Sequence, residues 1–332
     1  MDIDLRVLKL MESEKGIPFD ELVIIIEQAI HTAYQKHVTQ IPGADPDEVP
    51  EARVELDRKT GIVTIFAIER DDEGNLTGES VATPDDFGRI AAHAAKQVIN
   101  QRMRDIADEA VLGEFKGKEG DIVAGVIQQG SNPHMIHVDL GTVEAIMVPE
   151  EQVSTEDYTH GKRMRFYVTS VSKGNKGPKV SVSRTHPQLI RKLFALEVPE
   201  IANGLVEIVS LARESGHRTK IAVKANDPAI NAKGACIGEL GRRVRAVTEE
   251  LNDEKIDIVD YSPDLATFVG NALSPAKVSS SFVIDANLKA VRALVPDFQL
   301  SLAIGKDGQN ARLAAKLTGA KIDIQPDSVM ES

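Results

Sequence analysis

Two segments in the C-terminal half of the chain repeat each other, and this repeat limits most strongly what the chain can fold into. The first copy holds the pentapeptide IGELG at 237–241, and the second holds IGKDG at 304–308. Each pentapeptide lies between two apolar stretches with helical spacing, and each copy ends in the tetrapeptide KIDI, at 255–258 and 321–324. Self-similarity at a fixed spacing predicts two tandem copies of one small domain.

The glycines of these loops suggest what the copies bind. A G-x-x-G turn between two helices is the loop with which KH domains hold a nucleic-acid backbone. Glycine leaves no side chain in the way of a phosphate, and the free N–H groups of the next helix, which is predicted to begin at Arg242 or Gln309, favour anions. One such turn has little specificity in a chain with 24 glycines. Two copies in the same order of elements, α-β-β-α-α-β, indicate tandem type II KH domains.

We therefore predict contacts to single-stranded RNA along both loops. Ile237 and Ile304 would form the floor of an apolar groove for unstacked bases. Glu239 and Asp307 are acidic where phosphate should pass, and GELG has no basic residue, so the first loop is expected to grip more weakly and to rely on the arginines after it, at 242 and 243. The predicted RNA-binding residues are Ile237, Gly238, Glu239, Leu240, Gly241, Arg242, Arg243 and Arg245 in the first copy and Ile304, Gly305, Lys306, Asp307, Gly308, Gln309, Asn310 and Arg312 in the second.

Substitutions in the loops should test this interpretation. Gly238→Asp and Gly308→Asp are each expected to weaken RNA binding while the fold stays intact, because added bulk and negative charge oppose a phosphate. Alanine at Arg245 or Arg312 should lower the salt dependence of binding by ~1 unit of slope, if each arginine contacts one phosphate.

The first 116 residues are predicted to form an acidic α/β domain. They hold 13 basic and 24 acidic residues and so account for most of the net charge of −12, whereas residues 184–332 hold 19 of each. Such a surface is poorly suited to RNA; it fits a protein-docking module or a merely soluble acidic surface. The predicted elements are helical residues 3–37 interrupted at Gly16 and Pro18, a loop at 41–46, strands at 52–57 and 63–68, and a helix from Thr83 to about Ala110.

Residues 117–183 change to short alternating strands between glycine-rich turns. Five such strands predict a small Greek-key barrel of the OB type. The opening EGDIVAGV at 119–126 and the closing VSVSR at 180–184 resemble the S1 RNA-binding domain. The strand that presents stacking aromatics in such domains reads PHMIHV here, so base stacking is expected to contribute little. The predicted strands are 120–127, 134–140, 143–148, 163–171 and 179–183.

Other protein classes lack support in the sequence. No apolar run approaches the ~20 residues of a membrane span, and the N-terminal MDID lacks the build of a secretory signal. Cys236 is the only cysteine, which excludes an intrachain disulfide and suits a reducing cytoplasm. Gly305 and Lys306 lack the upstream glycine of a P-loop, and Asp85 with Asp86 fits the first turn of a helix better than a catalytic pair. We predict no catalytic residue, no metal and no cofactor.

Longer segments resemble the NusA family of bacterial transcription elongation, termination and antitermination factors. They are PDFQLSLAIGKDGQNARLA at 296–314, NALSPAKV at 271–278, KGACIG at 233–238, and the stretch from RTHP at 184 to EVPEI at 201. The resemblance covers nearly the whole chain and is weakest in its first third. It implies an α+β multidomain fold with an N-terminal polymerase-binding domain at 1–116, an S1 OB-fold domain at 117–183, and KH domains at 184–261 and 262–332.

The resemblance also implies a non-enzymatic function. The N-terminal domain would dock on core RNA polymerase near the RNA exit channel, and the S1-KH-KH array would receive nascent single-stranded RNA, so that pausing, termination and antitermination are modulated. A cytoplasmic monomer without membrane association is expected, with further antitermination factors as partners. The chain ends about eight residues after the second repeat, so we expect none of the C-terminal acidic repeats of some relatives and no autoinhibition through them.

Two other functions remain alternatives at the level of sequence. An RNA-processing enzyme or exonuclease-associated subunit would also use S1 and KH modules, but it would need a catalytic domain, for which the sequence offers no motif. A ribosome-linked RNA chaperone is the second alternative, and cofractionation with ribosomes rather than with polymerase would favour it.

Overall fold

The chain forms two compact units, residues 1–110 and 111–332, in the computed structural model. The structure describes residues 2–39, 51–71, 75–84, 87–130, 132, 134–174 and 177–330. The predicted loop at 41–46, the acids Asp85 and Asp86, and Pro133 lie outside the described residues. Every helix in the described part of the chain is too short or too polar to cross a bilayer.

The first unit packs helices against a three-stranded antiparallel sheet. Gly16 adopts a φ of +67° and ends the first helix, so the predicted interruption is confirmed. The third strand was not predicted, because nearly all of its side chains are exposed and its sequence LTGESV has no apolar alternation. The elements are α1 (Leu5–Lys15), α2 (Phe19–Thr39), β1 (Ala52–Leu56), β2 (Val63–Arg70), β3 (Leu76–Val81) and α3 (Gly88–Lys116). Helix α3 extends six residues beyond its predicted end at Ala110.

The second unit contains a closed five-stranded barrel, which confirms the OB-type prediction. The strand order is β4-β5-β6-β8-β7, and the interior is lined by fully buried apolar side chains such as Val138 and Phe166. Phe115, from the last turn of α3, packs against this core. The strands are β4 (Ile122–Gln128), β5 (Ile136–Asp139), β6 (Glu144–Met147), β7 (Arg163–Gly174) and β8 (Gly177–Ser183).

Both repeats fold in the order α-β-β-α-α-β, which confirms two type II KH domains. In each sheet the last strand lies parallel to the middle strand, and the middle strand lies antiparallel to the first. The first domain (KH1) has α4 (Pro187–Glu197), a short α5 (Pro199–Ala202), β9 (Val206–Glu214), β10 (Arg218–Ala225), α6 (Ala232–Ile237), α7 (Arg242–Glu250) and β11 (Lys255–Asp260). The second (KH2) has α8 (Leu265–Ala272), β12 (Ser280–Asp285), β13 (Ala290–Val295), α9 (Leu300–Ile304), α10 (Gln309–Thr318) and β14 (Lys321–Pro326).

The apolar pattern of KH2 predicts a helix over 263–273 and a strand over 276–285, and both predicted starts are wrong for identifiable reasons. The helix predicted over 263–273 begins only at Leu265, because the carboxylate of Asp264 accepts the backbone N–H of Thr267 and caps it. The strand predicted from 276 begins at Ser280, because Ala276 instead packs into a small apolar cluster with Val295 and Ala303.

The two KH domains share one hydrophobic core. Ala212, Ala222 and Val259 of KH1 are buried together with Phe268 and Leu313 of KH2. The fully buried Lys220 of KH1 adds a polar link, because its Nζ donates to a carboxylate oxygen of Asp257, at 2.8 Å, and to the carbonyl of Ser274 in KH2, at 2.6 Å. The two G-x-x-G loops are therefore held in a fixed relation.

A buried arginine joins the barrel to KH1. Arg184 is fully buried and donates to the carboxylates of Glu156, in the barrel, and Glu250, at the end of α7. Its Nη1 and Nη2 also donate to the carbonyls of Arg165 and Glu250, both at 2.7 Å. Removing one partner from such a buried network leaves an uncompensated charge, so loss of Arg184, Glu156 or Glu250 would disrupt the junction between the barrel and KH1.

Candidate nucleic-acid interface

The two G-x-x-G loops have the same backbone conformation. The first, third and fourth positions of each loop all have positive φ, from +50° to +78°, and the first glycine combines this with a ψ of 175° or 168°. A nine-residue helix begins directly after the first loop, and a ten-residue helix begins directly after the second. The corresponding positions are Gly238 and Gly305, Leu240 and Asp307, and Gly241 and Gly308.

The two glycines of a loop serve different purposes. A Cβ at Gly305 would lie 2.8 Å from the backbone nitrogen of Asn310, and one at Gly238 would lie 2.7 Å from Cγ of Arg243. A Cβ at Gly241 or Gly308 would meet no described atom within 4 Å. The first glycine is thus required for packing, whereas the second faces open space where a phosphate can approach. The expectation that Gly238→Asp leaves the fold intact needs correction, because that position is enclosed.

The tips of both loops are exposed. The side chain of Leu240 is 90% exposed, and Lys306 and Asp307 are exposed at the second loop. Of the two isoleucines predicted to floor a groove, Ile304 is exposed and Ile237 is half-buried. The structure therefore places apolar and cationic side chains together at the mouth of each loop.

The arginines after the first loop divide into two groups. Arg243 is half-buried, and its Nη1 donates to a carboxylate oxygen of Glu200, at 2.9 Å, and to the carbonyl of Ala235, at 2.7 Å. Arg242 and Arg245 are exposed. Cationic donors for phosphate at this loop are therefore Arg242 and Arg245, rather than the pair at 242 and 243 expected from the sequence.

The equivalent position in the second loop is not at the surface. Asn310 is only 2% exposed, and its Nδ2 donates to the carbonyls of Leu273, at 3.0 Å, and Ala303, at 2.9 Å. Its side chain joins α8, α9 and α10 in the interior of KH2. An RNA contact through this side chain stays a prediction from the sequence alone.

A carboxylate from KH1 reaches the start of α10 in KH2. Oε1 of Glu214 accepts from Nε of Arg312, at 2.6 Å, and Oε2 accepts from Nε2 of Gln309, at 2.9 Å. The guanidinium of Arg312, with the amide of Gln309, holds the pKa of the Glu214 carboxyl below its usual value and outweighs partial burial, which acts to raise this pKa. No sequence signal marks Glu214, because it lies almost a hundred residues from its partners.

An open cleft of about 660 Å³ lies between KH1 and the loop of KH2. Its lining mixes both charges: Arg218, Lys255, Lys306 and Arg312 are cationic, and Glu214, Asp253 and Asp307 are acidic, so its formal charge is only slightly positive. The lining residues of KH2 are Gly305, Lys306, Asp307, Gln309, Asn310 and Arg312, and all of them are among the RNA-binding residues predicted from the sequence. The lining residues of KH1 are Glu214, Gly216, His217, Arg218, Asp253 and Lys255.

The barrel offers a different surface. His137, on β5, approaches the carboxylate of Glu144 on β6 with its Nδ1 at 2.6 Å. Neither strand carries an aromatic side chain of Phe, Tyr or Trp. Within the described residues, no group of three or more His, Cys, Asp or Glu side chains is arranged to hold a metal ion.

Comparison with known proteins covers nearly the whole chain. Family models match the NusA N-terminal domain at residues 5–70 and 68–109, the NusA-like first KH domain at 184–261, and the NusA-like second KH domain at 265–332. The solution structure of the N-terminal domain of NusA from Bacillus subtilis is similar with 33% identity, a TM-score of 0.25, and coverage of 30% of this chain and 93% of that one.

Two curated relatives extend this similarity to full length. "Transcription termination/antitermination protein NusA" from Mycobacterium tuberculosis (strain H37Rv) is 53% identical over 338 residues, which cover 99% of this chain and 94% of the relative. The protein of the same name from Bacillus subtilis (strain 168) is 43% identical, over 98% of this chain and 91% of the relative. The chain therefore belongs to the NusA family of transcription termination/antitermination proteins.

Proposed function

We propose that this chain is an RNA-binding transcription factor. It docks on RNA polymerase through residues 1–116, binds nascent single-stranded RNA on the S1-KH-KH array, and thereby modulates pausing, termination and antitermination. The observation that supports RNA binding best is the pair of loops with one backbone conformation, each with an open glycine before the first turn of a helix. The relatives' names supply the transcriptional context.

The RNA strand would lie across both loops. At the first loop, Gly241 lets the backbone approach, and the exposed Arg242 and Arg245 neutralise phosphate. At the second loop, Gly308 and Lys306 have the same roles. Exposed apolar side chains beside the loops, such as Ile304, would support unstacked bases.

The N-terminal domain would provide the polymerase contact. Its surface combines the acidic excess of the first third with exposed apolar side chains such as Val7, Leu10 and Ile24. These side chains would supply apolar contact area to the polymerase. The protein would act in the cytoplasm as a monomer, without catalytic activity, and with further antitermination factors as partners.

Adding a negative charge at the open glycines tests RNA binding most directly. Gly308→Asp and Gly241→Asp should each weaken the binding of a single-stranded RNA, measured by filter binding, by roughly ten-fold or more, because a carboxylate would face the phosphate. Gly319→Asp is a matched control. Gly319 also has a positive φ, of +68°, and open space around it, but it lies at the far end of α10.

The result has a clear reading in each direction. Equal RNA affinity for Gly308→Asp, Gly241→Asp and Gly319→Asp, in proteins with equal thermal unfolding midpoints, would contradict the RNA-binding role of the loops.

A pull-down tests the docking role. Residues 1–116 alone should retain core RNA polymerase. If polymerase binding is lost only when residues 184–332 are deleted, the docking role of the N-terminal domain is contradicted. Shortening of the RNA with added divalent metal would favour a processing enzyme instead.

A further inference from the structure

The junction between the KH domains places a carboxylate at the start of α10, where RNA is proposed to bind. Glu214 accepts from Nε and Nη2 of Arg312, at 2.6 and 3.2 Å, and from the amide of Gln309, at 2.9 Å. Arg312 also donates to the carbonyl of Asp307, inside the G-x-x-G loop, at 3.2 Å. One carboxylate therefore engages two of the polar donors that follow this loop.

This arrangement is not required by the KH fold. In KH1 the equivalent arginine, Arg245, makes the same bond to its own loop, from Nη2 to the carbonyl of Leu240, at 3.3 Å. No described carboxylate pairs with Arg242 or Arg245. The ion pair at Glu214 is thus a property of the KH1–KH2 junction and is absent from the corresponding part of KH1.

The position of Glu214 suits a phosphate as well as a carboxylate. A guanidinium presents the same pair of donors to either group, and the first turn of a helix favours any anion. The cleft beside Glu214 is open, and Lys255 of KH1 and Lys306 of KH2 also line it. Neither lysine side chain makes a hydrogen bond or ion pair with a described residue, so both are available to a polyanion.

We propose that Glu214 is an internal competitor for RNA at the KH2 loop. A backbone phosphate that reaches the start of α10 must take Arg312 and Gln309 from this carboxylate, so occupied KH2 requires the ion pair to open. The inference rests on the proposed RNA-binding function and adds a residue of KH1 that weakens the grip of KH2.

Replacing Glu214 with glutamine removes the charge and keeps the shape. RNA affinity of Glu214→Gln at about 0.1 M salt should rise roughly five-fold, the size expected for freeing one partly exposed ion pair. The salt dependence should become steeper by about one unit, as one more phosphate is neutralised. Glu207→Gln is the matched control, because Glu207 lies exposed on the same strand β9, outside the lining of the cleft.

Adding Arg312→Ala identifies the group that is released. In the Glu214→Gln background this second change should remove the gain in affinity and the added salt slope, while in wild type it should have a smaller effect. Thermal unfolding midpoints of all variants show whether the KH1–KH2 junction is kept. The probe is a single-stranded RNA of mixed sequence bound to the full chain.

The outcomes separate this inference from the function on which it rests. Unchanged affinity and slope in Glu214→Gln, with RNA binding lost in Gly308→Asp, would overturn the competition and leave RNA binding intact. Weaker binding in Glu214→Gln would also overturn it, since Glu214 would then position Arg312 for RNA. Binding unaffected by Gly308→Asp and Gly241→Asp would instead contradict the proposed function itself.

Discussion

The two G-x-x-G loops share a backbone but not their surroundings. Equivalent φ angles differ by no more than about 5°, whereas the side chains behind the loops differ in type and in partners. Behind the first loop, Arg243 is half-buried and paired with Glu200, while behind the second, Asn310 is buried. In front, Arg245 has no described carboxylate partner, while Arg312 is paired with Glu214. Glycine position thus sets the shape of a loop, and residues outside the loop set its chemistry.

Substitution of the first glycine is expected to give the largest difference in stability between the two loops. Gly305→Ala would drive a Cβ against the backbone nitrogen of Asn310, which cannot move without disturbing α10. Gly238→Ala would meet the side chain of Arg243, which can shift. We expect Gly305→Ala to lower the free energy of unfolding by about 3 kcal/mol and Gly238→Ala by about half as much, from strain at positive φ combined with the clash.

Alanine at the second glycines provides the control for positive φ alone. Gly308→Ala and Gly241→Ala should cost only about 1 kcal/mol each, because their sites are open and only the backbone is strained. Urea unfolding of the four variants measures the series. Equal losses at Gly305 and Gly308 would show that backbone strain, rather than enclosure, decides the cost.

The residues behind the loops give the second contrast. Asn310→Ala leaves the carbonyls of Leu273 and Ala303 buried without their donor, so about 2 kcal/mol of unfolding free energy should be lost. Arg243→Ala breaks a pair in which both side chains remain about 30% exposed, so about 1 kcal/mol or less is expected. Urea unfolding compares the two variants. A larger loss of unfolding free energy in Arg243→Ala than in Asn310→Ala would show that Arg243, and not Asn310, is the more important side chain behind its loop.

The features of the two KH domains that could be predicted from the sequence are local ones. The repeated pentapeptides, the apolar spacing around them and the KIDI strands determine the KH fold, because each acts within one domain. Strand β3 escaped prediction because an exposed strand lacks an apolar pattern. The burial of Arg184 was also unpredictable, because its carboxylate partners come from the barrel and from α7, far along the chain.

The candidate site divides in the same way. All the glycines of the two loops lie where the pattern places them, since their spacing is fixed by the turn itself. Which following side chain faces solvent was not predictable: Arg243 and Asn310 turn inward, and Arg312 meets Glu214. These outcomes depend on what packs against each helix, and the spacing of residues within a repeat contains no information about that.

The arginines in front of the loops give a smaller contrast. Arg245→Ala should lower the slope of log affinity against log salt by ~1, because it removes one unpaired cation from the path of the phosphates. Arg312→Ala should lower it by less than that, because Glu214 already neutralises this guanidinium. Filter binding of a single-stranded RNA across a salt series measures both slopes. A larger change for Arg312→Ala would show that the ion pair leaves this arginine fully available to RNA.

The smallest expected effect is the pH dependence of the ion pair between Glu214 and Arg312, which has no described counterpart at Arg245. Arg312, with Gln309, holds the pKa of Glu214 below its ordinary value of 4.5. A lowered pKa in the folded state means that the pair stabilises the protein above pH 4.5 and that this contribution disappears as the pH falls through the lowered value. Since both side chains are partly exposed, this contribution is expected to be small.

Comparison of variants isolates this contribution from other carboxyls that titrate in the same range. The unfolding midpoint of wild type should exceed that of Glu214→Gln at pH 7, and the difference should shrink as the pH is lowered below 4.5. Arg245→Ala should show no such convergence with wild type, because its arginine has no described carboxylate partner. A difference that grows on acidification would mean that Glu214 is protonated more readily in the folded protein, and Arg312 would then not hold it as an anion.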